Sequence, residues 1–170
     1  MILPIYLYGS DVLRNENTDV DLNDKEGIAK LIEDMKETLK VADGCGLAAP
    51  QVGVNKNIVI VDGRELTETY DYLKDFFRVM INPVVLEESE QTCEYSEGCL
   101  SVPGKYGLVK RPYYAKVRAQ DRNGDWFEAE GEELIARCFC HELDHLDGII
   151  YTEVMERYLT DEELGYDEEE

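Results

Sequence analysis

The stretch LIARCFCHELDHLDG, residues 134–148, decides how the rest of the chain is read. His141 and His145 lie four apart, so on a helix they project from one face at adjacent turns, where two imidazoles can grip one ion. Glu142 follows His141 directly and can reach beside that ion to handle the proton of a hydrolytic water. Neutral imidazoles suit Zn²⁺, Fe²⁺, Ni²⁺ or Co²⁺. The competing reading is a helix that carries two solvated histidines by accident. It is weakened because the chain has only these two histidines, among the largely apolar positions Leu134, Ile135, Ala136, Cys138, Phe139, Leu143 and Leu146. Buried imidazoles without partners cost free energy. The helix is expected to start near Glu132 and to stop before Gly148.

A catalytic site that keeps one position open needs a third protein ligand. Cys138 shares the histidine face, but Cys138 to His145 spans about 10 Å of helix axis, whereas ligand bonds are about 2 Å. Cys140 points elsewhere, and Cys-Phe-Cys-His lacks the spacing of a c-type haem site. Both read as small core residues. Cys99 sits in Glu97-Gly98-Cys99-Leu100-Ser101, where Gly98 removes bulk and the following Val-Pro-Gly marks an exposed turn. Spacing leaves it equally a ligand or a buried structural thiol.

Outward from the helix, Ile28, Leu31, Ile32, Met35 and Leu39 recur at threes and fours and predict a helix over 24–42, closed by Asp43-Gly44. GCGLAAPQVGVNKN, 44–57, is too rich in Gly and too interrupted by Pro50 for regular structure. The run IVIV at 58–61 predicts a buried strand. After a polar segment at 62–75, FFRVMINPVVLEE offers strand residues broken at Asn82-Pro83. YYAKVRAQ and DWFEAE flank a hairpin connection at Asp121-Arg122-Asn123-Gly124. Strands in the middle, helices at both ends and short turns between strands argue for an α+β fold.

The chain's 170 residues, 44% of them hydrophobic, are enough for one ordinary core. A net charge of −21, from 38 acidic against 17 basic side chains, repels phosphate backbones and anionic membranes, so no nucleic-acid or membrane partner is expected. No run approaches the ~20 apolar residues of a membrane helix, and the opening MILPIYLYGSDVLR lacks the pattern of a signal peptide, so the expected location is cytoplasmic. Five cysteines are an odd number and read as reduced thiols. Residues 1–160 are expected to form one catalytic domain and 161–170 a flexible acidic tail.

Three segments in this order, Gly44-Cys45-Gly46-Leu47-Ala48-Ala49-Pro50-Gln51, Glu97-Gly98-Cys99-Leu100-Ser101 and His141-Glu142-Leu143-Asp144-His145, resemble the signature motifs of the peptide deformylase family. The resemblance runs from about residue 3 to 155. It implies mostly antiparallel strands around a central metal-bearing helix. The implied activity is removal of formyl from the starting formyl-methionine of nascent bacterial peptides, releasing formate. By resemblance, Cys99, His141 and His145 ligate one divalent ion, Fe²⁺ in the cell, replaceable by Zn²⁺, Ni²⁺ or Co²⁺, with water as the fourth ligand. Glu142 is the general acid/base, and the Gln51 amide and Leu100 backbone N–H meet the oxyanion. Gly44, Cys45 and Gly46, with Glu97 and Gly98, bind the peptide, its main chain lying like an added strand.

Three positions depart from the family's usual pattern: Cys45 stands for an aliphatic residue, Tyr106 for an arginine found in some relatives, and Arg137 for an apolar residue. Relatives that dock on the ribosome use a basic C-terminal helix, whereas this chain ends acidic, which leaves only transient ribosome proximity. Two rivals remain. An H-E-x-x-H metallopeptidase would take Glu153 or Glu156 as third ligand; a non-catalytic metal module would close its shell with Cys138 or Cys93.

Overall fold

The computed structural model of the chain describes residues 1–64 and 76–165. The polar segment read at 62–75 therefore lies largely outside the described residues, as does 166–170 of the acidic tail.

Helix α1 spans Lys25–Ala42. Asp24 caps it by accepting from the Gly27 N–H, and Asp43 ends it in the left-handed conformation at φ 59°. The predicted stripe is its buried side: Ile28, Ile32, Met35 and Leu39 pack on Leu47, Ile58, Ile60 and Ile81. The glycine-rich segment is more regular than its composition suggests. Gly46–Ala48 forms a short strand, β1, and Ala49–Val52 a 3-10 turn in which Pro50 costs nothing, because the first N–H groups of such a turn have no internal partner.

Strand β2 is Ile58–Asp62, as the IVIV run predicts. Its side chains alternate between two cores, Ile58 and Ile60 toward α1 and Val59 and Val61 toward the second helix, which explains an uninterrupted apolar run. Strand β3, Phe77–Glu88, is not broken at Asn82-Pro83 as expected. The register shifts between Ile81 and Val84, and this bulge takes up a proline that could not donate to the ladder. Asn82 turns there at φ 51°, accepting from Val20 N–H and donating to Gln120.

The remaining strands are β4 Thr92–Cys99, β5 Val102–Pro112, β6 Tyr114–Gln120, β7 Trp126–Glu132 and β8 Arg157–Tyr158. The β6–β7 hairpin turns where predicted, with Gly124 at φ 89° and the Asp121 carboxylate accepting from the N–H groups of Asn123 and Asp125. Among the described residues, all pairings between these strands are antiparallel, in a five-stranded sheet of order β1-β2-β3-β6-β7 and a three-stranded sheet of order β4-β5-β8.

Helix α2, Leu134–Leu146, lies between the sheets. Ala136, Phe139 and Leu143 pack on the large sheet with Val59, Met80 and Val117, while α2 also meets β5 of the small one. The α+β architecture with antiparallel strands around one central helix is as expected. No helix among the described residues is long and apolar enough to cross a membrane. At the start of the acidic tail, Glu163 pairs with Arg157 at 2.8 Å and caps a turn at Thr160.

Candidate active site

The helical spacing on α2 puts His141 and His145 on one face, with ring centroids 5.1 Å apart. Cys99 ends β4 opposite them, its Sγ 3.4 Å from His145 Nε2. The ligand atoms of Cys99, His141 and His145 all lie within 4.8 Å of one another, and no other such cluster of ligating side chains occurs among the described residues. The turn beside Cys99 is formed by Leu100 and Ser101, whereas Val102-Pro103-Gly104, expected as an exposed turn, opens β5 with Val102 buried. That tight turn lets the β4–β5 hairpin carry a thiol against the helix.

The donor set fits a divalent transition ion. The Nδ1 of His141 is occupied by Glu97 at 2.9 Å, leaving its Nε2 for a ligand. Burial and the charge of His141 push the His145 pKa well down, so this imidazole is neutral, as a ligand must be. Burial opposes the charged form of His141 as well, but hydrogen bonds to Cys99 and Glu97 overcome it and raise its pKa. The negative charge that stabilises a proton there is the charge a cation would neutralise. One thiolate and two imidazoles suit Fe²⁺, Zn²⁺, Ni²⁺ or Co²⁺, and not Ca²⁺ or Mg²⁺, which prefer oxygen.

Glu97 is the hub of the surrounding shell. One carboxylate oxygen accepts from Arg111 Nε at 2.8 Å and Arg137 Nη1 at 2.6 Å; the other accepts from Arg111 Nη2 at 2.9 Å and meets His141. Burial alone would raise its pKa, but Arg111 and His141 outweigh this and hold it at about 2. Arg111 extends to Asp144 at 2.7 Å, and Arg137 also donates to the carbonyls of Val109 and Cys93. Arg137, read only as a departure in an apolar position, is therefore a buried cation held through both terminal guanidinium nitrogens, with its Nε left without a partner. Arg111 carries no motif signal of its own, and Asp144, although inside the His141–His145 segment, was given no role there; a basic residue on the strand paired with β4 was the available hint.

Glu142 is buried, with one carboxylate oxygen 4.0 Å from His141 Nε2 and the other without a hydrogen-bond partner. Desolvation raises its pKa to about 8. It packs against Gly46 so closely that a Cβ there would come within 2.4 Å of its Oε2. Gln51 is locked by the Ala48 N–H, which donates to Oε1 at 2.9 Å, so its amide Nε2 faces Ser101 Oγ at 3.1 Å and Cys99 Sγ at 3.5 Å.

These groups line one cavity of about 540 Å³, which also takes in Gly44, Cys45, Gly98, Leu100 and Tyr106. His145 lies behind it, 1% exposed. Every residue to which the resemblance gave a role, from Gly44, Cys45, Gly46 and Gln51 through Glu97, Gly98, Cys99 and Leu100 to His141, Glu142 and His145, thus sits at or directly behind this cavity. The cavity runs between β1 and β4, and each of these strands has one edge without a strand partner among the described residues.

The family model described as "Polypeptide deformylase" matches residues 2–160. The chain belongs to the polypeptide deformylase family. A peptide deformylase of Agathobacter rectalis is 52% identical over 135 residues, covering 79% of this chain and 78% of that protein. One of Lachnoclostridium phytofermentans is 46% identical over 98% of this chain and 96% of its own length. Two crystal structures of deformylases superpose on the fold. That from Thermotoga maritima has a TM-score of 0.82 at 35% identity, covering 92% of this chain and 99% of its own. That from Acinetobacter baumannii, with Met-Ala-Ser bound, has a TM-score of 0.82 at 34% identity, covering 91% and 99%. Deformylases are metal-dependent hydrolases that remove the N-formyl group from nascent peptides, and this chain is one of them.

The rival readings lose their ligands. Glu153 pairs with Arg14 and accepts from Ile150 N–H, and Glu156 is exposed, so neither reaches the histidines. Cys138 Sγ faces Cys45 Sγ, and Cys93 contacts Arg137, so neither joins Cys99.

Proposed function

We propose that this deformylase holds its ion, Fe²⁺ in the cell, on Cys99 Sγ, His141 Nε2 and His145 Nε2, and that Glu142 moves the proton of the reaction. The observation that carries this reading is the convergence of the three ligand atoms beside a desolvated carboxylate with a free oxygen. The bound ion would supply a Lewis acid that makes hydroxide available near neutral pH. Glu142 takes the proton of the attacking water and returns it to the departing amine, a task suited to a carboxyl that titrates near neutrality. Gln51, fixed by Ala48, offers its amide N–H to the oxyanion together with the Leu100 backbone N–H.

The formyl-methionyl peptide lies in the cavity between the open edges of β1 and β4, bonded through Gly44, Gly46 and the Glu97-Gly98 main chain, with the methionine side chain against Cys45. The Acinetobacter baumannii protein is one that binds Met-Ala-Ser. Main-chain recognition suits an enzyme that must accept many different nascent chains. The setting is cytoplasmic, with transient proximity to the ribosome.

Substituting Cys99→Ala tests the ligand set. Ion content, read by elemental analysis after desalting, should fall from one per chain toward zero, and formate release should fall with it. Full ion retention by the variant would contradict the assignment.

A further inference from the structure

The cavity holds a feature that the deformylation chemistry does not use. Cys45, on the segment leading into β1, and Cys138, on α2, are both free, both line the cavity, and place their Sγ atoms 3.6 Å apart. The two sulfurs come from segments 93 residues apart and meet only because β1 packs on α2. Reduced thiols need no such pairing to serve as small core residues. A disulfide bond is about 2.05 Å long, so closure brings the sulfurs together by roughly 1.5 Å, a distance that small side-chain and loop shifts can cover.

We propose that Cys45 and Cys138 form an oxidisable pair, a peroxide-sensitive modification site within the peptide-binding cavity. Cys45 is the more accessible thiol and reacts first. Its sulfur attacks one peroxide oxygen, the O–O bond breaks, and the second oxygen leaves as water, giving a sulfenic acid. Cys138 sulfur then attacks the Cys45 sulfur, the S–O bond breaks, and a second water carries off the remaining oxygen and the Cys138 proton. Two thiols lose two electrons, and one peroxide becomes two waters. The hydrogen bond with Cys138 lowers the Cys45 pKa, which favours the thiolate the first step needs.

The bond would act on the reaction through Gly46. Cys45 is its neighbour, and Gly46 already abuts the Glu142 carboxylate with no room for a Cβ. Drawing Cys45 toward α2 therefore narrows the methionine-facing wall and presses the chain on Glu142. This consequence rests on the proposed placement of the methionine; the bond itself does not.

The test treats the nickel-loaded enzyme with hydrogen peroxide at a few equivalents, alkylates free thiols, and digests without reductant for mass spectrometry. A peptide pair linked through Cys45 and Cys138, 2 Da lighter than the separate thiols, is expected, with kcat/KM reduced at least tenfold and restored by dithiothreitol. Both thiols found alkylated after other cysteines have oxidised would overturn the proposal. A linked pair with unchanged kcat/KM would overturn the placement of methionine against Cys45 while leaving the oxidation site in place. In Cys45→Ser, which lacks the thiol that reacts first, the reversible loss should disappear, and persistence of a dithiothreitol-reversible loss there would count against the pair.

Discussion

Replacing Glu97 by glutamine would leave the guanidiniums of Arg111 and Arg137 buried against a neutral amide. Breaking one side of such a network costs about 3–5 kcal/mol, more than an exposed pair could. Urea unfolding should show a loss of that order for Glu97→Gln, and a change under about 1 kcal/mol would show the network to be idle. The pH dependence has a definite sign. Glu97 is held at about 2 in the fold against an ordinary 4.5, so its contribution is fully present above about 4.5 and drains away as pH falls toward 2. Wild type should lose stability through that window more steeply than Glu97→Gln. At this scale the sequence was legible for His141, Glu142 and His145, because helical spacing fixes which side chains share a face. It was silent on Arg111 and Asp144, because a β5 side chain reaching across to α2 is set by tertiary packing that no local period records.

Among the elements, α1 and β1 give contrasting predictions. Asp24→Ala removes the α1 cap, far from the cavity, and should cost about 1 kcal/mol with kcat/KM unchanged. Gly46→Ala should do the reverse. The added Cβ meets Glu142 Oε2, so kcat should fall at least tenfold while the melting temperature shifts by no more than a few degrees. Equal activity in Gly46→Ala and wild type would show that Glu142 has room to spare. The amphipathic period of α1 and the IVIV run of β2 were readable because each buries faces at its own repeat. The unbroken β3 was not, since a proline tolerated at a bulge is indistinguishable in sequence from one that ends a strand. β1 was also missed: three residues paired on one side only carry too little pattern to separate from a glycine-rich loop.

Across the whole molecule the excess of 21 negative charges sets a field that every substrate meets on approach. Peptides with lysine or arginine downstream of the formyl-methionine should show KM lower than their acidic counterparts by several-fold at low ionic strength. Salt should erase the difference as the screening length shrinks to about 8 Å at physiological strength; a preference insensitive to salt would place its origin in local contacts instead. The family fold was legible as a whole because three short motifs in fixed order demand one arrangement, while the shell of Arg111, Arg137 and Asp144 around Glu97 emerged only in three dimensions. The central claim is that Cys99, His141 and His145 hold the ion and Glu142 moves the proton. Its most direct test is formate release from a formyl-methionyl peptide, measured without oxygen on chelated and iron-reloaded protein, with Glu142→Ala alongside. Chelation should abolish release and reloading restore it, and Glu142→Ala should keep its ion while losing activity on the order of 10²–10⁴-fold. Undiminished turnover in Glu142→Ala, or release that survives complete removal of metal, would contradict the claim.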